Sequence, residues 1–170
     1  MKIKNIDSLD PIIFTDEITN FIDSLRVVNN DYSFLPCIKG ATQAGRELKL
    51  GFSCYALKTY FTLNKWDNFD EEYKNEWAKY INSFQKKSKI FPDNSFLDDS
   101  FIDNFNKFRI DRFTKDFVKK LLNLSKKYNY QTKKFELQTS IRAETKQAIS
   151  TLQQINLSLI HISEPTRLTS

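Results

Sequence analysis

Between Arg46 and Gln85 apolar side chains return every three or four residues, and that spacing constrains the fold more than any other feature of the chain. Leu48, Phe52, Tyr55, Ala56, Thr59, Tyr60 and Leu63 fall on one face of a 3.6-residue helix. The segment 64–69 (Asn-Lys-Trp-Asp-Asn-Phe) breaks the period, Asp70 is placed to cap a second helix, and Glu71 and Glu72 suit the positive end of that helix. Tyr73, Trp77, Ile81 and Phe84 then form its apolar stripe. The spacing predicts two helices joined by a short turn and packed back on each other. Only 3 Gly and 4 Pro in 170 residues argue against a sandwich or barrel built from many tight turns, so the expected class is all-α, made of antiparallel helical hairpins.

The rest of the chain reads as partial copies of that unit. Pro11 to Phe14 closes a lead-in, with Thr15 or Asp16 as N-cap of a helix carrying Ile18, Phe21, Ile22, Leu25 and Val28 and ended by Asn29, Asn30 and Asp31. From Tyr32 to Gly45 no period holds, and two of the three glycines lie there. This is either a pocket-lining loop or an ordinary connection packed by its own side chains. Lys86 to Asp99 is expected to be a polar loop anchored by Phe91, Phe96 and Leu97, and Asp99 to Phe108 a short helix. Arg112 to Tyr128 should form a further helix with Phe113, Phe117, Leu121, Leu124 and Tyr128 on one stripe. A last helix spans about Leu137 to Ile155 with Ile141, Ala148, Leu152 and Ile155 aligned, although Phe135, Leu137, Thr139 and Ile141 also alternate like a strand. Setting Ala56 on Ala148 brings Thr59 onto Thr151 and Tyr60 onto Leu152, an internal repeat at an offset of about 92 residues, twice a helical-hairpin unit.

Composition narrows the function classes. The 15 Phe, 7 Tyr and 2 Trp supply ample apolar area for a core. The net charge of +5 comes from Lys pairs spread along the chain, not from a basic patch interleaved with aromatics, so no nucleic-acid partner is expected. Cys37 and Cys54 are too few for a disulfide framework and lack metal-ligand spacing; Cys54 should pack as a small hydrophobe. No metal or cofactor is therefore expected. Asp7 and Asp10 interrupt the start, so no signal peptide is read, and no run approaches the ~20 apolar residues of a membrane span. The expected location is cytoplasmic.

Leu157 to Arg167 resembles the translation of a transposase adapter used to build sequencing libraries. Residues 157–170 are accordingly set aside from fold reasoning, and residues 1–156 are expected to be the N-terminal part of a longer domain.

The stretch Phe52 to Gln85, closing on Ile81-Asn82-Ser83-Phe84-Gln85, together with Ile141 to Ile155 as the start of a second inner helix, resembles the α/α-toroid of terpenoid cyclases and protein prenyltransferase β subunits. There, inner and outer helices alternate around a ring. The resemblance implies a partial α/α toroid and an isoprenoid ligand, or a carbohydrate ligand, since glycan-degrading enzymes use such rings too. The chain departs from those families after Gln85, where Lys86 to Phe91 contains no glycine, and it lacks the Asp-x-Asp-Asp motif of squalene-type cyclases. Its single histidine, His161, lies in the adapter-like tail, so a zinc site of the prenyltransferase kind has no histidine ligand in residues 1–156.

Arg46 with Glu47, and Arg142 with Glu144, stand near the starts of the two expected inner helices. In a toroid those ends face the cavity, where an Arg binds phosphate or carboxylate and a Glu serves as acid or base; exposed ion pairing is the alternative. Tyr55 completes the candidate ligand-binding set, and no catalytic residue is assigned. Asp99 and Asp103 stand one turn apart, close enough to share a hard cation, but capping is the role expected of the run from Asp98 to Asp103. A non-catalytic helical-repeat module that binds a partner or a glycan is the alternative to an enzyme.

Overall fold

A computed structural model describes residues 11–87, 91–106, 115, 117–119, 121–122 and 133–155. The chain is largely helical. In order, α1 (Pro11–Ser24) leads to an antiparallel ribbon of β1 (Arg26–Val27) and β2 (Asn30–Phe34), followed by α2 (Gln43–Glu47), α3 (Leu50–Thr62), a single 3-10 turn (Trp66–Asn68) and α4 (Glu71–Asn82). A second antiparallel ribbon joins β3 (Gln85–Lys86) to β4 (Ser95–Phe96), then come α5 (Asp99–Asn106) and α6 (Lys133–Gln154).

The largely helical fold is compatible with the expected all-α class, and two small ribbons add to it. Val28 continues the apolar spacing of α1, yet the helix ends at Ser24; Asn29 takes φ 69°, and the chain doubles back so that Val27 pairs with Asn30. Asn tolerates this left-handed conformation better than a branched residue does. Val28 is left in the turn, exposed. In the second ribbon Gln85 pairs with Phe96 and Lys86 with Ser95, and Asn94 at φ 65° turns the chain into β4. The predicted anchors Phe91, Phe96 and Leu97 are all buried. At the front of the chain Thr15 and Asp16 lie inside α1, whose helical turns already include Pro11; a proline is at ease in a first turn because its missing N–H would have no partner there.

The start of α4 matches the sequence expectation closely. The Asp70 side chain accepts the N–H of Tyr73 at 2.7 Å, with Glu71 and Glu72 in the first turn. The end of α3 is closed by its own backbone. Asn64, at φ 56°, donates its N–H to Phe61 O at 3.0 Å, and Lys65 donates to Tyr60 O at 2.8 Å, the paired bonds that satisfy carbonyls at a helix end.

One aromatic hub centres the main core. Trp77 is fully buried, its ring stacked on Phe34 at 5.5 Å between centroids and set edge-on to Tyr60 at 5.9 Å, with Trp66 at 5.8 Å. Its Nε1–H donates to Ser53 Oγ at 2.8 Å, so the one polar atom of the indole is satisfied inside the core. The buried residues of α3 are Leu50, Ser53, Cys54, Ala56, Leu57 and Tyr60, a stripe rotated from the predicted one, and Tyr55 is 59% exposed. Ala148 and Leu152 of α6 and Ile155 just past its end join this core, while Ile141 packs in a smaller cluster with Phe91 and Leu97. Lys133–Gln154 is helical throughout, which resolves the strand-like alternation at its start.

Arg26 ties α1 and the first ribbon to the helices. Its guanidinium donates to Asp23 Oδ1 at 2.8 Å, to Tyr60 Oη at 3.2 Å, to Asp31 O and to Tyr73 Oη, and it lies 5.1 Å from the Phe34 ring centroid. Burial works against this charge, but the hydrogen bond to Asp23 and the two tyrosines outweigh it and hold the guanidinium above its ordinary pKa.

Residues 115, 117–119 and 121–122 are helical, as the sequence predicts, but Phe117 and Leu121 are exposed where a buried stripe is expected. Phe113, Leu124, Tyr128 and Phe108 lie outside the described residues, as does the segment 156–170.

Candidate functional site

The two helices matched by the internal repeat touch. α6 is the principal helical neighbour of α3, and Lys58 Nζ donates to Ser150 Oγ at 3.2 Å across 92 residues, the same separation as the repeat offset. Gln147 Nε2 donates to Gly51 O at 3.3 Å, and its own backbone carbonyl accepts the hydroxyl of the buried Thr151 at 2.7 Å. Gly51, Tyr55 and Lys58 succeed one another at steps of four and three along α3, and Gln147 and Ser150 are a step of three apart along α6, so these residues form a continuous polar ridge with an exposed aromatic ring beside it.

A carboxylate junction lies where α3 and α5 begin. Asp98 is 2% exposed and accepts three backbone N–H groups: Lys49 at 2.7 Å and Leu50 at 3.0 Å on Oδ2, and Ser100 at 3.1 Å on Oδ1. It caps α5 and the start of α3 together, stabilised there by both helix dipoles. Asp99 instead pairs with Lys86, and Asp103 is exposed. Capping is therefore the role that the structure gives to Asp98.

Glu144 approaches this junction from α6. It lies on the same side of the helix as Ile141 and Ala148, both buried, and the adjacent Thr145 Oγ1 accepts the N–H of Phe96 at 3.1 Å. Its Oε2 is buried with no hydrogen-bond partner among the described residues. Burial, reinforced by the charge of Asp98, pushes its carboxyl up to about 7. Cys54 is buried beside Thr151, and desolvation pushes its thiol up to about 12, the mark of an inert core cysteine.

No protein-family model, curated protein or solved structure matches this chain. The chemistry of the site is therefore read from its own residues.

The five sequence-predicted ligand residues have different surroundings. Arg46 is exposed in α2, a short helix of its own ahead of α3, with Nε donating to Ala41 O at 3.4 Å. Glu47 accepts from Asn104 Nδ2 at 3.1 Å and from Gln43 Nε2 at 3.3 Å. Tyr55 stands on the ridge. Arg142 is exposed, whereas Glu144, two residues on, is turned to the junction. None of the five lines the cavity of about 260 Å³ bounded by Ile12, Thr15, Leu63, Asn64, Lys65 and Asn68. Ser53, Lys58, Gln147 and Ser150 are not singled out by their sequence pattern; for Lys58 and Ser150 the signal lay in the repeat alignment, which sets them at equivalent positions.

Among the described residues no three His, Cys, Asp or Glu side chains gather as metal ligands, and no helix is long and apolar enough to cross a membrane.

Proposed function

We propose that this chain is a toroid-like helical-repeat domain that binds a carbohydrate along the ridge shared by α3 and α6. The observation that carries the reading is the direct contact between the two repeat-related helices, at the Lys58–Ser150 bond. Repeat-related helices that pack side by side are what a helical-repeat core brings together.

The ridge suits a polyhydroxylated ligand. Tyr55 offers an exposed ring against which a sugar face can pack, and Lys58, Gln147 and Ser150 supply ammonium, amide and hydroxyl groups for its hydroxyls. Few, placed polar groups around an aromatic platform are what a sugar site requires. An isoprenoid ligand calls for an apolar wall, and the apolar side chains of α3, Leu57 and Ala56 among them, are committed to the core. Binding, rather than a particular reaction, is what these groups support.

Titration of the full chain with neutral and acidic oligosaccharides and with isoprenyl diphosphates, measured by calorimetry, tests the proposal. Saturable oligosaccharide binding that Tyr55→Ala weakens by about 1 kcal/mol, roughly fivefold in Kd, is the expected result. Saturable binding of an isoprenyl diphosphate alone, indifferent to Tyr55, overturns it.

A further inference from the structure

A glutamate on the core-facing stripe of a helix is costly unless it is neutral or paired. Glu144 occupies such a position, and among the described residues the groups that act on it offer no compensating cation. From the β4–α5 junction it faces Asp98; from α3 it faces Cys54. Lys58, the nearby cation of α3, is held outward by Ser150, and Arg142 and Lys146 are exposed on other faces of α6. The buried Oε2 has no partner among the described residues, and Asp98 already directs its oxygens to three N–H groups.

We propose that Glu144 is a proton-operated latch between α6 and the start of α3: protonated, it seats in the junction; ionised, it sets a second negative charge against Asp98 and the junction opens. The latch is independent of what the ridge binds. The displaced pKa of Glu144 agrees in sign with this geometry. Its carboxyl holds its proton to about 7 in the folded chain, against 4.5 when free. The folded state thus binds the extra proton between those values, so the stabilisation is complete below the lower one and is lost as pH rises to the upper one. Asp98 is held in place by its bonds to Lys49 and Leu50, so loosening is directed to the place where α6 meets α3.

Hydrogen exchange of the full chain by NMR, corrected for intrinsic rates, reads the latch at the amides of residues 50–57 and 144–152. The expected opening constant climbs by up to about tenfold per pH unit between the free and the folded values and then levels. Glu144→Gln, which keeps the shape and cannot ionise, should make that profile flat. An identical pH dependence in Glu144→Gln overturns the proposal. Should that variant not fold, the side-chain carboxyl of Glu144 in the unmutated chain decides the matter by carbon-13 NMR: titration near 7 supports the latch, and titration at the ordinary glutamate value sinks it.

Discussion

Asp98 Oδ2 accepts the backbone N–H of Leu50 at 3.0 Å across 48 residues of sequence, so one side chain fixes where α3 begins and where α5 begins. A buried carboxylate holding three N–H donors cannot be removed cheaply. Asp98→Ala should cost about 2–4 kcal/mol, combining a lost cap with stranded donors at Lys49 and Leu50. Asp98→Asn keeps one acceptor oxygen and should lose about half as much. Urea unfolding monitored by circular dichroism measures both; an alanine variant within about 0.5 kcal/mol of the parent would falsify the double cap.

Ser53 and Trp77 make a second test. Ser53→Ala removes little volume but leaves the buried indole N–H without an acceptor, an expected loss of about 1–3 kcal/mol. Trp77→Phe should then cost less in the Ser53→Ala background than in the parent, with a coupling of about 1 kcal/mol in a double-mutant cycle. Additive losses would show that the hydroxyl is incidental.

The two thiols should differ sharply in reactivity. Cys54 is fully buried and its thiol is pushed up to about 12, so raising the pH to about 9 produces almost no thiolate there. Cys37 is half-buried in the connection before α2. A disulfide reagent at pH 8 should titrate one cysteine in the native chain and the second only in denaturant. Fast reaction of both under native conditions would contradict the packing of α3 against α6.

Arg26→Lys should destabilise by about 1–2 kcal/mol although the charge is kept. A lysine cannot span Asp23, Asp31, Tyr60 and Tyr73 from one planar group, nor lie flat on Phe34. Thermal unfolding with near-ultraviolet circular dichroism tests this, since loss of the network should also alter the tyrosine signal. A melting curve and spectrum unchanged from the parent would mean that the fork geometry is unimportant.

Which parts of this fold are legible in the sequence depends on where the deciding interaction lies. Helix α4 is readable because its cap, its acidic first turn and its stripe at Tyr73, Trp77 and Ile81 are all local. The face of α3 is misjudged from hydropathy because its true core positions include Ser53 and Cys54, which carry little of it; Ser53 is buried for its hydroxyl, which Trp77 needs. The ribbons escape detection because β1, β3 and β4 are two residues long, the five residues of β2 (Asn-Asp-Tyr-Ser-Phe) show too little apolar alternation to read, and Val28 mimics a further helical turn. Periodicity alone sets Arg46 and Glu47 at the start of α3, but the chain breaks at Leu48 and Lys49 and puts them on a separate short helix. Glu144 draws notice with Arg142 from its place near the start of an expected inner helix, whereas its neighbour Asp98 is brought to it by tertiary packing that no local pattern encodes.

The bond between Lys58 and Ser150 spans 92 residues, and that separation matters while the protein is being made. At ribosomal speeds of about 5–20 residues per second, α3 emerges on the order of 5–20 s before the helix that covers Cys54 and Leu57. During that interval its greasy side is an open target for chaperones or for a neighbouring nascent chain. Slowing translation between the codons for residues 62 and 133 should therefore lower the yield of folded protein without altering the stability of what does fold.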